Sequence, residues 1–171
     1  MSESDTQRLS RWFDLYAPAM VLYAGQWLDR PAAEDVVQDV FLKCIAQSAF
    51  AGVNEPNNEK AWLYSVVRNR AIDKQRQQAA RLRRELQSIP RQSWFHSTDD
   101  DQLDAKLAQK ALSKLPDEIR EIIVLRIWGQ MSLADISSVV GMPVSTVHDR
   151  YKQGLAALKN IMEPNYAKIK S

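Results

Sequence analysis

At 171 residues and 45% hydrophobic content, the chain has enough apolar material to bury one ordinary core or two small helical ones, which excludes a disordered tail. Its single cysteine excludes an internal disulfide framework, and one Cys with two His leaves too few soft ligands for a structural zinc site; both facts suit a reducing cytoplasm. No apolar run approaches the roughly 18 residues of a membrane-spanning helix. Glu3 and Asp5 do not suit a signal peptide, so no membrane insertion is expected.

The net charge of +2 conceals a strong segregation. Residues 1–59 carry four basic and nine acidic side chains, whereas residues 60–84 carry eight basic side chains against the single Asp73. Such a basic run is the footprint of a phosphate-backbone binder, and reads equally as a solvated helical face. Only five glycines, with abundant Leu, Ala, Gln and Arg, favour helices over strands. The fold class expected is all-α, as two small helical domains joined by a flexible linker, the C-terminal one containing a helix-turn-helix.

Leu9, Trp12, Phe13, Tyr16, Met20, Tyr23 and Trp27 recur at steps of three and four and predict a helix over about 6–28, with a break near residue 17 imposed by Pro18. Pro31 suits a first helical turn, and Val36, Val37, Val40, Phe41, Cys44 and Ile45 then form an apolar stripe. The opposite face holds Glu34, Asp35, Gln38, Asp39 and Lys43, an acidic surface the fold does not need. Gly52, Asn54, Pro56, Asn57 and Asn58 mark a loop before a long helix running from about Glu59 into the eighties. Leu63, Val66 and Val67 pack its first half, and beyond Arg68 the apolar pattern dissolves into basic residues.

The stretch 88–101, with Pro90 and the run Asp99 to Asp101, has linker composition and separates a domain at 1–87 from one at 102–165, with a short tail at 166–171. Four helices are expected in the second domain. Leu103, Leu107, Ala111 and Leu112 mark the first; Pro116 opens the second, with Ile119, Ile122, Ile123 and Ile127, and Gly129 ends it. Ser132 and Asp135 form a capping-box pattern ahead of Leu133, Ile136, Val139 and Val140. Gly141-Met142-Pro143 turns the chain into a last helix carrying Val147, Tyr151, Leu155, Leu158 and Met162. A short helix, a glycine turn and an amphipathic helix make a helix-turn-helix, whose second helix enters the DNA major groove. Ser137 is small where those helices would cross closely, and Gly154 inside the last helix lowers its propensity by about 1 kcal/mol. The exposed side of that helix holds hydrogen-bonding groups suited to base edges and phosphates, Arg to guanine and Asp to the cytosine amino group.

Three stretches, in order, resemble one family. Residues 33–41, AEDVVQDVF, are similar to the second conserved region of bacterial sigma factors of the small extracytoplasmic-function (ECF) class of the sigma-70 family. Residues 61–73, AWLYSVVRNRAID, resemble that family's promoter-melting helix, and LPDEIR at 115–120 with Ser145-Thr146-Val147 resembles its fourth region. The resemblance implies a factor that binds core RNA polymerase and directs promoter-specific initiation by reading the -10 and -35 elements. It implies that Asp35, Gln38 and Asp39 bind the polymerase, where a solvated face is the alternative. It places Asn54, Asn57, Asn58, Trp62, Arg68, Asn69, Arg70, Lys74 and Arg76 against the opened -10 element, although Trp62 reads equally as core. Ser145, Thr146, His148, Asp149, Arg150 and Lys152 would read the -35 duplex, and an anti-sigma partner is implied. The Asp99 to Asp101 run either follows the polymerase's basic channel or is plain solvated linker.

The recognition stretch departs from the family, with His148, Asp149, Tyr151 and Gly154 where basic residues are common. A stand-alone helix-turn-helix regulator would explain the C-terminal half but leaves the acidic face and the basic helix without a purpose. An enzyme is disfavoured: there is no Gly-rich phosphate loop, no Glu-x-x-His carboxylate-metal motif and no nucleophile with a base at recognisable spacing, so neither a catalytic residue, a metal nor a cofactor is expected.

Overall fold

The computed structural model describes residues 3–46, 58–85 and 102–170. Among them all regular structure is helical: α1 (Glu3–Ala24), α2 (Arg30–Ala46), α3 (Glu59–Glu85), α4 (Gln102–Ser113), α5 (Asp117–Ile127), α6 (Leu133–Val140) and α7 (Val144–Lys170). The chain divides into two compact units, Met1–Gln92 and Ser93–Ser171. The expected linker at 88–101 lies outside the described residues.

In the first unit, α1 packs on α2 and α3, and α2 on α3. Leu9, Trp12, Met20 and Tyr23 of α1 meet the buried stripe Val36, Val37, Val40, Phe41 and Cys44 of α2 and Leu63, Tyr64, Val67 and Ala71 of α3. Phe13 stands edge-on to Phe41 at 5.2 Å, and Tyr23 contacts Trp27 at 5.2 Å and Tyr64 at 5.4 Å, geometries that aromatic quadrupoles favour. Burial raises the Cys44 thiol above its ordinary pKa, so it remains a neutral core group.

Two expectations for α1 are corrected. The helix runs through Pro18 without a break. Proline removes the donor that would serve the carbonyl of Asp14, but both residues are exposed, so water can take that carbonyl. The helix ends at Ala24, not near 28, where the chain tightens and the amides of Gln26 and Trp27 reach back three residues to the Tyr23 and Ala24 carbonyls, at 3.2 and 3.1 Å. Asp29 then caps α2, its Oδ1 accepting from the Ala32 amide at 2.9 Å, which leaves Pro31 in the first turn as expected.

In the second unit α7 packs against α4, α5 and α6. Leu112, Leu115 and Ile123 form the centre, with Ile119, Trp128, Tyr151, Ala157 and Leu158 around it. The capping box is formed: the Asp135 amide donates to Ser132 Oγ at 3.1 Å, and the Ser132 amide to Asp135 Oδ2 at 3.4 Å. Gly141 closes α6 in the left-handed region at φ 70°, ψ 32°, and the Ser137 hydroxyl donates to the Met142 carbonyl across the turn. Ser137 is thus there for a hydrogen bond as much as for its size.

Pro116 opens α5 as its N-cap and Gly129 follows its end as expected, the one positive φ in that turn falling on Gln130. Several details differ from expectation. Ile127 and Leu155 are 46% and 41% exposed, at the edges of their apolar stripes. The expected tail at 166–171 is helical as far as Lys170. Gly154 is no weak point: a Cβ there would lie 2.7 Å from Ile119 Cγ2 and 2.9 Å from Ile123 Cδ1, so glycine is what lets α7 cross α5 closely.

These contacts make stability predictions, measurable by thermal unfolding of the full chain. Ser132→Ala should cost about 1 kcal/mol through the lost cap. Gly141→Ala should cost about 1–2 kcal/mol from backbone conformation alone, since open space surrounds that position. Gly154→Val should destabilise by about 1–3 kcal/mol through overpacking, and a variant as stable as the parent would contradict the close crossing.

Candidate functional site

Side chains free to meet a partner are those left over when each helix has buried its stripe. On α2 the stripe from Val36 to Cys44 points inward, so Asp35, Gln38, Asp39 and Leu42, at steps of three and four, share the outer face. Leu42 is 61% exposed in line with the acids and was missed by sequence reasoning, although its spacing from Asp35 was the signal. A single exposed leucine is ordinary on a protein surface, and Leu42 is singled out only by its place in this acidic row. Glu34 is paired with Arg30 at 2.8 Å, and belongs to the helix more than to the face.

On α3 the buried residues Leu63, Tyr64, Val67 and Ala71 end the core contact. From Asp73 to Arg84 the helix is exposed except at Lys74 and Leu82, which are half-buried. Helical spacing sorts the expected DNA-facing residues into groups. Trp62, Asn69 and Arg76 share the side opposite the core; Trp62 is half-buried, between the two readings open to it. Arg70 and Lys74 lie on the flank toward α2, and Lys74 Nζ is 3.7 Å from Asp35 Oδ2. One side chain expected to meet DNA therefore touches one expected to meet polymerase. The pair is partly exposed, at 32% and 68%, and is worth at most about 1 kcal/mol. Arg68 is half-buried on the other flank.

Asn58 has a structural role, since its Oδ1 accepts from the Ala61 amide at 3.0 Å and caps α3. Asn54 and Asn57 lie outside the described residues. Arg8 reaches Glu59 at 3.9 Å and lies over the Trp12 ring, tying α1 to the start of α3.

On α7 the buried side is Val147 and Gly154, with Tyr151 half-buried between them. Ser145, His148, Asp149, Lys152 and Gln153 are exposed and Thr146 is half-buried. Helical spacing puts Ser145, Asp149, Lys152 and Ala156 on the crest opposite the packed side, and His148, 3.6 Å from Asp149, on its flank. Arg150 departs from the set. It pairs with Glu118 in the first turn of α5, and its Nη1 also meets Met142 Sδ at 3.0 Å. Among the described residues no group of three or more His, Cys, Asp or Glu is placed to hold a metal ion, and no helix is long and apolar enough to cross a membrane.

The chain matches known proteins along most of its length. Sigma-70 region 2 matches residues 12–81, which include the acidic α2 face and nearly all of α3, and Sigma-70, region 4 matches residues 105–158, which include the helix-turn-helix. The ECF RNA polymerase sigma factor SigL of Mycobacterium tuberculosis is 30% identical over 152 residues, covering 86% of this chain and 84% of that protein. The ECF RNA polymerase sigma factor SigW of Bacillus subtilis is 28% identical over 140 residues, covering 74% of this chain and 73% of that protein. Among solved structures, the sigma factor RpoE of Bartonella quintana, in complex with the anti-sigma factor NepR, shares the fold at a TM-score of 0.75 and 23% identity, over 92% of this chain and 98% of that one. CnrH, in complex with the cytosolic domain of CnrY, does so at 0.59 and 21% identity, over 93% and 90%. A helical unit with an acidic outer face and a basic helix, a second unit built on a capped helix-turn-helix, and relatives matching across most of their length together place the chain in the sigma-70 family, as an ECF RNA polymerase sigma factor that directs promoter-specific transcription initiation.

Proposed function

We propose a division of labour between surfaces of this sigma factor. The outer face of α2, Asp35, Gln38, Asp39 and Leu42, docks on core RNA polymerase, with Leu42 as the apolar anchor and the carboxylates as the rim that sets orientation. The exposed side of α3, Trp62, Asn69 and Arg76, with Arg68, Arg70 and Lys74 on its flanks, holds the opened -10 element by a basic track and an aromatic platform. Asn54 and Asn57 are assigned to the same element as polar groups able to read an unstacked base, with Asn58 serving them as the cap that starts α3. The crest of α7, Ser145, Asp149 and Lys152, flanked by Thr146 and His148, reads the -35 element as duplex.

The observation that carries this reading is the coexistence, on one compact unit, of an exposed acidic helix face and a basic helix half with no core of its own. A stand-alone DNA-binding regulator gives neither a purpose. In this scheme RNA synthesis is the polymerase's chemistry and the chain itself is not an enzyme, acts in the cytoplasm and needs no cofactor. RpoE and CnrH were solved with an anti-sigma factor and with the cytosolic domain of CnrY. We extend that kind of control to this chain, with an anti-sigma partner as its regulator.

Asp35→Asn with Asp39→Asn should weaken association with core polymerase about tenfold or more, measured by titration of labelled chain, and Leu42→Ala should do the same. Asparagine avoids placing a cation beside Lys74, so the fold should be untouched. Retained binding in both variants would sink the α2 assignment. Trp62→Ala with Arg76→Ala should instead leave core binding intact and reduce promoter opening, followed by permanganate reactivity, by roughly tenfold, since stacking of one base is worth about 1–3 kcal/mol. Equal loss of both activities would mean that the helix is shared between the two surfaces.

A further inference from the structure

The sequence pattern offers Arg150 as a guanine reader in the recognition helix, but its surroundings argue otherwise. It lies three residues after Val147 and four before Gly154, both buried, so its Cα sits beside the packed side of α7 and away from the crest. The guanidinium is paired with the Glu118 carboxylate, and the same Nη1 meets the sulfur of Met142 in the turn between α6 and α7. Glu118 stands in the first turn of α5, where the helix dipole favours a carboxylate. One side chain thus joins the recognition helix, the scaffold helix on which it lies and the turn that leads into it. Gly154 fixes how closely α7 approaches α5; a contact on the flank, one turn earlier, fixes its rotation about its own axis. A guanidinium engaged in this way would have to leave both partners, and strand the Glu118 charge near phosphates, before it could grip a base.

We infer that Arg150 is a positioning residue of the upstream-element reader, locking α7 to Glu118 and Met142 so that the crest residues Ser145, Asp149 and Lys152 carry the sequence discrimination. The inference rests on the assignment of α7 to duplex reading. Asp149 accepts hydrogen bonds only, so on the strand it meets it favours a base that presents an amino group in the major groove, cytosine or adenine, over guanine or thymine.

The test uses core polymerase loaded with the full chain. A promoter selected from a pool randomised over the upstream element, and the same promoter with that element scrambled, are the two probes, and their affinity ratio is the discrimination. Arg150→Met and Glu118→Gln should each lower discrimination about three- to tenfold, and the double variant should fall no further than the worse single one. The charge swap, Glu118→Arg with Arg150→Glu, should recover part of it, less the cost of a cation in the first turn of α5. The salt dependence of binding should be unchanged by Arg150→Met. The inference is overturned if Arg150→Met lowers the log-log salt slope by about 1 and relaxes preference at one base pair while Glu118→Gln leaves discrimination intact. If Arg150→Met does not fold, the swap decides alone: recovered discrimination supports the clamp, and lost discrimination in a folded swap overturns it. A parent chain that does not distinguish the two probes overturns the duplex-reading assignment itself, and the clamp with it.

Discussion

A helix of 3.6 residues per turn that must bury one stripe has no choice about which side chains it presents elsewhere, and each surface of this protein follows from that constraint. On α2 the inward stripe from Val36 to Cys44 leaves Asp35, Gln38, Asp39 and Leu42 as an outer row. On α3 the stripe stops at Ala71, so the same helix is half wall and half projecting rod. The change of character along α3 is therefore a change in what lies against it, with the helical backbone continuous throughout. The rod keeps its helix without a core because Arg, Gln, Ala and Leu have high intrinsic propensity.

In the second unit the same logic is sharpened by local chemistry. A helix-turn-helix works only if the angle between its helices is fixed, and here three short-range devices fix it: the Ser132/Asp135 box starts α6, Gly141 ends it, and Ser137 ties the turn by its hydroxyl. α7 is then seated on α5 at a point with no side chain, Gly154, and paired with it through Arg150 and Glu118. None of this requires large buried area, which suits a unit of this size.

Features that live on a single helix are legible in the sequence. The stripes of α2 and the first half of α3, the capping box, the Gly141 turn and the acidic face can all be read from spacing and residue type. Features that depend on a second element are not. Pro18 reads as a break because the rule concerns a helix in isolation, whereas here its neighbours Ala17, Met20 and Tyr23 are buried as α1 packs on α2 and α3, which holds the helix together across the proline. Gly154 reads as a weak spot because its value comes from Ile119 and Ile123, more than thirty residues away in the chain. Asn58 looks like a loop residue until the first turn of α3 claims its oxygen, and Lys74 looks like a DNA ligand with no hint that Asp35 of α2 is its neighbour. Leu42 escapes notice for another reason: a leucine in a helix is assumed to be core, although its seven-residue spacing from Asp35 already puts it on the outer face.

The seating of α7 on α5 separates two kinds of freedom. Positions such as Gly154, Ile119 and Ile123 are fixed by one another and can change only together. Ser145, Asp149, Lys152 and Ala156 touch little of the protein's interior, so they can be exchanged without refolding anything. The unit behaves as a chuck with an interchangeable bit. A population of such chains could acquire new promoter preferences by drift on the crest while the mount stayed constant, and the same partition marks where a designer would vary residues and where to leave them alone.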